Sequence, residues 1–226
     1  MTLSEFQKKI DYKFKDMRIL ETAFIHRSFL NENREVNEHN ERLEFLGDAV
    51  LELIATEFLF RKFPQKPEGE MTTLRSALVR GEQLAEVARE IGAGSLLRFS
   101  KGEAKSGGAD KPYLLANVFE AILGAVYLDA GYEKTREIVE KFLFPKLEKI
   151  IEEGTQTDAK SNFQEFAQAK FSITPQYKII SEIGPDHAKI FRMGVYVGDQ
   201  LFGVGEGINK QAAEQVAAAE ALKKLK

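Results

Sequence analysis

The sequence predicts a multidomain protein in which an all-α domain is followed by a small α+β domain. Residues 1–151 contain long segments with helical periodicity, and residues 152–157 are polar without any large apolar side chain. Residues 158–226 then show a helix, three alternating segments separated by turn residues, and an alanine-rich helix. We therefore expect an α-domain over 1–151, a linker over 152–157 and an α-β-β-β-α domain over 158–226.

The composition excludes several kinds of site. The 226 residues allow two domains with cores of their own, and they include no cysteine for disulfides or thiolate metal ligands. A metal ion would therefore be held by oxygen atoms or by the three histidines. The net charge of −3 argues against a surface that is basic throughout. The N-terminal segment lacks the pattern of a secretion signal, so we expect a cytoplasmic protein without a membrane partner.

Six helices are predicted in the first domain. They cover residues 4–10, 16–29, 40–62, 72–92, 113–130 and 132–151. Asp16 is the expected N-cap of the second helix, and Thr72 or Thr73 is the expected N-cap of the fourth. The segment 100–112 is rich in Gly, Lys and Ser, which predicts a flexible connection.

The helix over 40–62 carries acidic and apolar side chains on opposite faces. At about 100° per residue, Glu41, Glu44 and Asp48 lie within roughly 60° of one another. The apolar side chains of the opposite face are Leu43, Leu46, Val50 and Leu53. Like charges at this spacing destabilise a helix, so the acidic stripe requires a counter-charge such as a divalent cation.

The alternative is an ordinary acidic face in contact with water. Two residues in the same helix favour a packed site instead. Gly47 costs up to about 1 kcal/mol relative to alanine in mid-helix, and glycine there usually marks the close approach of another backbone. Phe45 places an aromatic ring beside the acids, where a solvated face would carry a polar residue. Both indicate that another surface packs against this stripe.

A further acidic residue of interest, Glu120, lies in the most apolar predicted helix, 113–130. Glu120 has apolar neighbours on both sides, and Asn117 lies one turn earlier. A buried carboxylate without a partner costs several kcal/mol, so Glu120 must be protonated, paired with a base or bound to a metal. If this helix packs on the acidic one, Glu44, Asp48, Asn117 and Glu120 form the all-oxygen ligand set that Mg²⁺ or Mn²⁺ prefers.

The second domain ends in a helix suited to phosphate binding. The predicted elements are a helix at 161–171, strands at 176–182, 189–197 and 200–205, and a helix at 209–225. Asn209 is the expected N-cap of the last helix, and Lys210 follows it at once, so amide groups and a cation point the same way. The alternative is a plain α+β module with a charged first turn.

The chain resembles the bacterial ribonuclease III family over essentially its whole length. Residues 40–51, Asn-Glu-Arg-Leu-Glu-Phe-Leu-Gly-Asp-Ala-Val-Leu, are similar to that family's signature. Shorter similarities occur at 26–28, 68–69, 102–103, 106–108, 119–121 and 127–129. The second domain resembles a double-stranded RNA-binding domain at 163–165, 184–187 and 210–217.

The resemblance implies roles for individual residues. Asp48 and Glu120 would be catalytic, with Glu41 as an accessory acid, and Phe45 would insert into the partner subunit of a homodimer. The implied metal ligands are Glu44, Asp48, Asn117 and Glu120, with Mg²⁺ as the cofactor and Mn²⁺ as its expected substitute. The implied RNA-binding residues are Ser161, Gln164, Glu165, Pro185, His187, Lys210 and Gln211.

The implied reaction is hydrolysis of double-stranded RNA to 5′-phosphate and 3′-hydroxyl ends with short 3′ overhangs, without a small-molecule substrate. Ribosomal and other RNA precursors are the substrates that the resemblance implies. Two positions depart from the family pattern, because Asn117 stands where aspartate is more common and Gln211 where a second lysine is common. The alternative is a catalytically weak duplex-RNA-binding protein of the same fold.

Overall fold

The computed structural model describes residues 1–157, 159–185 and 189–224. The chain divides into two compact units, Met1–Glu148 and Lys149–Lys226. The helices that begin in the first unit are α1 (Leu3–Lys9), α2 (Met17–Ala23), α3 (Glu41–Lys62), α4 (Glu68–Leu78), α5 (Gly81–Glu90), α6 (Lys101–Lys105), α7 (Pro112–Ala130), α8 (Tyr132–Phe142) and α9 (Leu147–Thr157). The predicted all-α character of this part is confirmed.

The centre of the first unit is α7. Its residues are buried on nearly every side, and it packs along α3, α5 and α2. Among the described residues it is the one helix whose 19-residue length and mean hydropathy of 1.4 would suffice to cross a membrane. Most of that apolar stretch, 61%, is buried inside the unit, as expected of a core helix.

The helix predicted over 72–92 is two helices in the structure. They are α4 and α5, and the backbone between them is extended at Arg80, immediately before Gly81, the first residue of α5. The predicted caps are wrong, because α4 begins at Glu68 and both threonines lie inside it. Their hydroxyls bond one turn back, Thr73 to the Gly69 carbonyl at 3.0 Å and Thr72 to the Glu68 carboxylate at 2.8 Å.

Other boundaries also differ from the predictions. The helices predicted over 16–29 and 132–151 are shorter, because a 3₁₀ turn follows α2 and Pro145 interrupts the chain after α8. Asp16 is the N-cap of α2, as predicted. The segment 152–157, predicted to be a linker, is helical and forms the second half of α9. It contains no proline, and Gly154 alone weakens a helix by only about 1 kcal/mol.

The second unit has the predicted α-β-β-β-α order. Its elements are α10 (Ala159–Phe171), β1 (Gln176–Ile183), β2 (Ile190–Val197), β3 (Gln200–Gly207) and α11 (Lys210–Lys223). The three strands form an antiparallel sheet in the order β1-β2-β3, with Tyr177 opposite Val195 and Val195 opposite Gly203. The core lies between the sheet and the two helices and includes the fully buried Phe163 and Ala217.

Candidate active site

Two glycines let the backbones of α3 and α7 touch. A Cβ atom added at Gly47 would lie 1.8 Å from the carbonyl oxygen of Glu120, and one added at Gly124 would lie 2.1 Å from the carbonyl oxygen of Leu43. Real side chains do not approach so closely, so only glycine fits at either position. The prediction that Gly47 marks a close backbone approach is confirmed. The contact places the acidic stripe of α3 directly beside Glu120 of α7.

Glu120 carries the strongest electrostatic strain in the site. Burial, followed by the negative charges of Asp48 and Glu44, raises the pKa of the Glu120 carboxyl to about 8. Within the described part of the chain, Glu120 has neither a hydrogen-bond partner nor an ion-pair partner. A carboxyl group held in this way either keeps its proton or requires a cation.

Glu44 and Asn117 connect the two helices. Burial and the charge of Glu41 raise the pKa of Glu44, and the charge of Asp48 adds to this, whereas the nearby amide of Asn117 lowers it. The amide has this effect because its N–H groups stabilise an ionised carboxylate, which can only accept. The structure therefore brings Glu44, Asp48, Asn117 and Glu120 to one side of the α3–α7 contact.

The oxygen donors of these four side chains suit a hard cation, although the described side chains are not arranged as a complete coordination site. Among the described residues, no three His, Cys, Asp or Glu side chains form a group that could hold a metal ion as they stand. The four side chains nevertheless offer carboxylate and amide oxygens, the donors that Mg²⁺ prefers. The fit therefore rests on the chemistry of these donors and on the unpaired carboxyl group of Glu120.

Glu41 has different surroundings from the other three acids. Its Oε1 atom lies 3.4 Å from a guanidinium nitrogen of Arg27, and its Oε2 atom lies 3.9 Å from Nδ1 of His39. That Nδ1 atom is buried without a hydrogen-bond partner among the described residues. Neither Arg27 nor His39 was identified as a site residue from the sequence. The only signal was the similarity at 26–28, which includes Arg27.

The segment predicted to be a flexible connection is ordered by polar contacts. Ser100 caps α6 by accepting a hydrogen bond from the backbone of Glu103 at 3.2 Å. Lys111 donates to the Glu103 carboxylate at 2.7 Å and to Ser106 at 2.9 Å. The hydrogen bond from Lys111 is the main reason that the pKa of Glu103 is lowered. Glu103 is therefore held as a paired, ionised side chain.

An apolar stripe lies exposed along α3. Phe45 is 80% exposed, Leu53 59% and Phe60 69%. Leu53, which the sequence places on the apolar face opposite the acids, is exposed, because an apolar pattern does not distinguish a core-facing side chain from one that faces a partner. At about 100° per residue, these three positions fall within roughly 80° of one another, so they form one continuous surface.

The predicted RNA-binding side chains lie on the outside of the second unit. The described ones are all exposed, namely Ser161, Gln164, Glu165, Pro185, Lys210 and Gln211. His187 lies outside the described residues. Asn209 caps α11 as predicted, because its side chain accepts a hydrogen bond from the backbone of Ala212 at 2.8 Å. Lys210 is the first residue of α11, and its Nζ atom lies 5.8 Å from the centre of the Phe191 ring on β2.

Comparisons with known proteins agree with the division of the chain into two units. The family model described as Ribonuclease-III-like matches residues 16–147, and the Double-stranded RNA binding motif matches residues 159–225. A Ribonuclease 3 from Desulfotalea psychrophila is 44% identical over 222 residues, covering 98% of this chain and 92% of that protein. A Ribonuclease 3 from Bacillus cereus is 47% identical over 225 residues, covering 98% and 90%.

A solved structure gives the same result for the first unit. The nuclease domain of ribonuclease III from Campylobacter jejuni is 38% identical and matches with a TM-score of 0.60, covering 64% of this chain and 99% of that domain. The sequence relatives span both units, and the solved domain matches the part that holds Gly47 and the acids. On these findings the chain belongs to the ribonuclease III family.

Proposed function

We propose that this chain, an endoribonuclease by its family, uses Mg²⁺ to hydrolyse phosphodiester bonds in double-stranded RNA. One observation carries the proposal. Among the described residues Glu120 has no hydrogen-bond or ion-pair partner, and it lies beside the charges of Glu44 and Asp48, where the backbones of α3 and α7 touch. In a chain whose second unit matches a double-stranded RNA binding motif, such a site suits metal-assisted cleavage of duplex RNA.

The side chains that would hold the ion are Glu44, Asp48, Asn117 and Glu120. When bound, Mg²⁺ lowers the pKa of a coordinated water and neutralises charge on the phosphate, and Mn²⁺ offers the same chemistry. Asp48 and Glu120, on the two helices that touch, are the carboxylates that we propose as catalytic. The amide of Asn117 favours the ionised form of Glu44. Glu41 acts from the edge of the site, where Arg27 balances its charge.

We propose that two copies of the chain assemble through the exposed stripe of α3. Three large apolar side chains in contact with water, Phe45, Leu53 and Phe60, are the kind of surface that a partner normally covers. The related nuclease domain from Campylobacter jejuni has a region involved in dimer formation. Two sites in a homodimer would each cut one strand, which would leave 5′-phosphate and 3′-hydroxyl ends with short 3′ overhangs.

The second unit would bind the RNA duplex. A-form RNA is read mainly by shape and by contacts to phosphates and 2′-hydroxyls, and the exposed polar side chains of α10 and α11 suit that kind of contact. Such binding selects duplexes over base sequences. We propose ribosomal and other RNA precursors in the cytoplasm as substrates, without a membrane partner or a small-molecule substrate.

One observation favours a second candidate function. Asn117 supplies a neutral amide beside Glu44, where a further carboxylate would strengthen metal binding. A protein with a weakened metal site could bind duplex RNA while cleaving it slowly. This alternative differs from the proposed function in the cleavage rate alone.

Incubation of a long RNA duplex with the full chain and Mg²⁺ separates the two functions. The proposed function predicts short duplex products with 5′-phosphates, no cutting of the matched DNA duplex, and no cutting after chelation of the metal. Binding of the duplex without products in either Mg²⁺ or Mn²⁺ would support the weak enzyme instead.

A further inference from the structure

Lys160 joins the first turn of α10 to the second turn of α11, and it is not among the predicted RNA-binding residues. The Nζ atom of Lys160 lies 2.5 Å from the carboxylate of Glu214, an ion pair in which the two side chains are only 35% and 21% exposed. The backbone amide of Lys160 donates to Oε1 of Gln215 at 3.2 Å. Two adjacent residues of α11 therefore hold one residue of α10.

The same lysine also contacts the sheet. Its Nζ atom lies 4.8 Å from the centre of the Tyr177 ring, on β1. The Tyr177 hydroxyl is buried without a hydrogen-bond partner among the described residues, and its pKa is raised to about 12 by burial and by the charge of Glu214. Lys160 is thus fixed at the junction of α10, β1 and α11, and it is not a mobile surface cation.

The position of this junction relates it to the RNA-binding side chains. Lys160 immediately precedes Ser161 on α10, and Glu214 lies one turn after Lys210 on α11. A lysine followed four positions later by a glutamate can form an ion pair on one helix face. The carboxylate of Glu214 is already paired with Lys160. It therefore does not pair with Lys210, which stays free to contact a phosphate.

We infer that the cluster of Lys160, Glu214 and Gln215 fixes the spacing between α10 and α11, so that the RNA-binding side chains of both helices contact one RNA duplex together. The inference rests on the proposed binding of duplex RNA by the second unit. Phosphate contacts fix a protein on a duplex only if the contacting groups keep their spacing. A contact between the two helices that itself avoids the phosphates would supply that spacing.

This role predicts a change in duplex-binding affinity that is opposite in sign to the change expected from net charge alone. Removing an acidic charge from a module that binds phosphates normally strengthens binding, because the electrostatic attraction increases. The positioning role predicts that Glu214→Gln instead weakens duplex binding by about tenfold, the order expected when a charged hydrogen bond is lost. The slope of log K against log salt should stay unchanged, because no phosphate contact is removed.

The test is a salt titration of the full chain on one RNA duplex without divalent metal. Glu220→Gln is the matched control, since it removes the same charge from α11 at an exposed ion pair with Lys223, and it should not weaken binding. Gln211→Lys calibrates the assay, because one added phosphate contact should steepen the slope by about one unit. The charge-swapped double variant, Lys160→Glu with Glu214→Lys, should recover most of the lost affinity.

Three outcomes would count against the inference. Glu214→Gln binding as tightly as the Glu220→Gln control would overturn it while leaving the proposed function intact. A steeper slope with tighter binding would overturn it by showing that the released Lys160 reaches a phosphate. Absence of duplex binding by the wild-type chain would overturn the proposed function and this inference together. Thermal unfolding of each variant establishes that the second unit is folded at the assay temperature.

Discussion

Replacement of Gly47 by alanine tests the contact on which the candidate site depends. The added Cβ atom would lie 1.8 Å from the Glu120 carbonyl oxygen and 2.8 Å from the Gly124 amide nitrogen, whereas ordinary contacts begin at 3.4 Å. The two helices would have to separate by about 1.6 Å, the difference between the first and last of these distances. Overpacking of this kind costs about 1–3 kcal/mol.

Helix propensity acts in the opposite direction, which makes the sign of the result informative. Alanine is favoured over glycine inside a helix by about 1 kcal/mol, so an uncrowded change would stabilise the protein. Gly69 in α4 provides the matched control, because a Cβ atom there would meet nothing within 4 Å. We expect Gly69→Ala to be neutral or stabilising and Gly47→Ala to lower the free energy of unfolding by about 2 kcal/mol.

Denaturant unfolding monitored by circular dichroism would measure both variants, and Mn²⁺ binding would report on the site. Separation of the helices moves Glu44 and Asp48 away from Glu120, so Gly47→Ala should also bind metal more weakly than Gly69→Ala. If Gly47→Ala were as stable as the Gly69→Ala control and bound metal as well as wild type, the close contact of α3 and α7 would be wrong.

Three further changes test other parts of the site. Phe45→Ala should weaken the proposed dimer, because loss of a buried aromatic ring costs about 3–5 kcal/mol; sedimentation that shows an unchanged dimer at low micromolar concentration would contradict this. Asn117→Asp should lower the Mg²⁺ concentration needed for half-maximal cleavage, since it adds a charge to the ligand set; an unchanged requirement would show that position 117 is not a ligand. The pKa of about 8 at Glu120 means that protons compete with metal, so apparent Mn²⁺ affinity should rise by about tenfold per pH unit below that pKa and then level off. Calorimetric titrations at several pH values would show this, and a flat profile would contradict it.

The sequence predicts those features of the site that are signalled by the spacing and type of nearby residues. The spacing of the acids on α3, the glycine between them and the isolated acid in α7 together predict the contact that the structure shows. The N-cap of α11 follows in the same way, because asparagine at that position accepts from one of the free amide groups of the first turn, that of Ala212. Each of these signals lies within a few turns of one helix, although the α3–α7 contact itself joins residues that are distant in the chain.

Features that depend on distant residues are not predictable from the same patterns. Arg27 balances Glu41 from another element, and Lys160 pairs with Glu214 across 54 positions, so no local spacing signals either pair. The break between α4 and α5 occurs at Arg80, just before Gly81, and because one glycine costs a helix only about 1 kcal/mol, this residue alone does not predict a break. Exposed Leu53 shows that the pattern of one chain does not separate a core from a surface suited to a partner.

Glu120 is the residue on which the proposed metal site for duplex RNA cleavage depends most. The most direct test compares wild type with Glu120→Gln on one RNA duplex, measuring cleavage in Mg²⁺ and binding without divalent metal. Glutamine keeps the shape of the side chain and removes its charge, while the second unit is unchanged. We expect cleavage to be lost and duplex binding to stay within about twofold of wild type, since binding depends on phosphate contacts elsewhere. Cleavage by Glu120→Gln at the wild-type rate would contradict the assignment of the site.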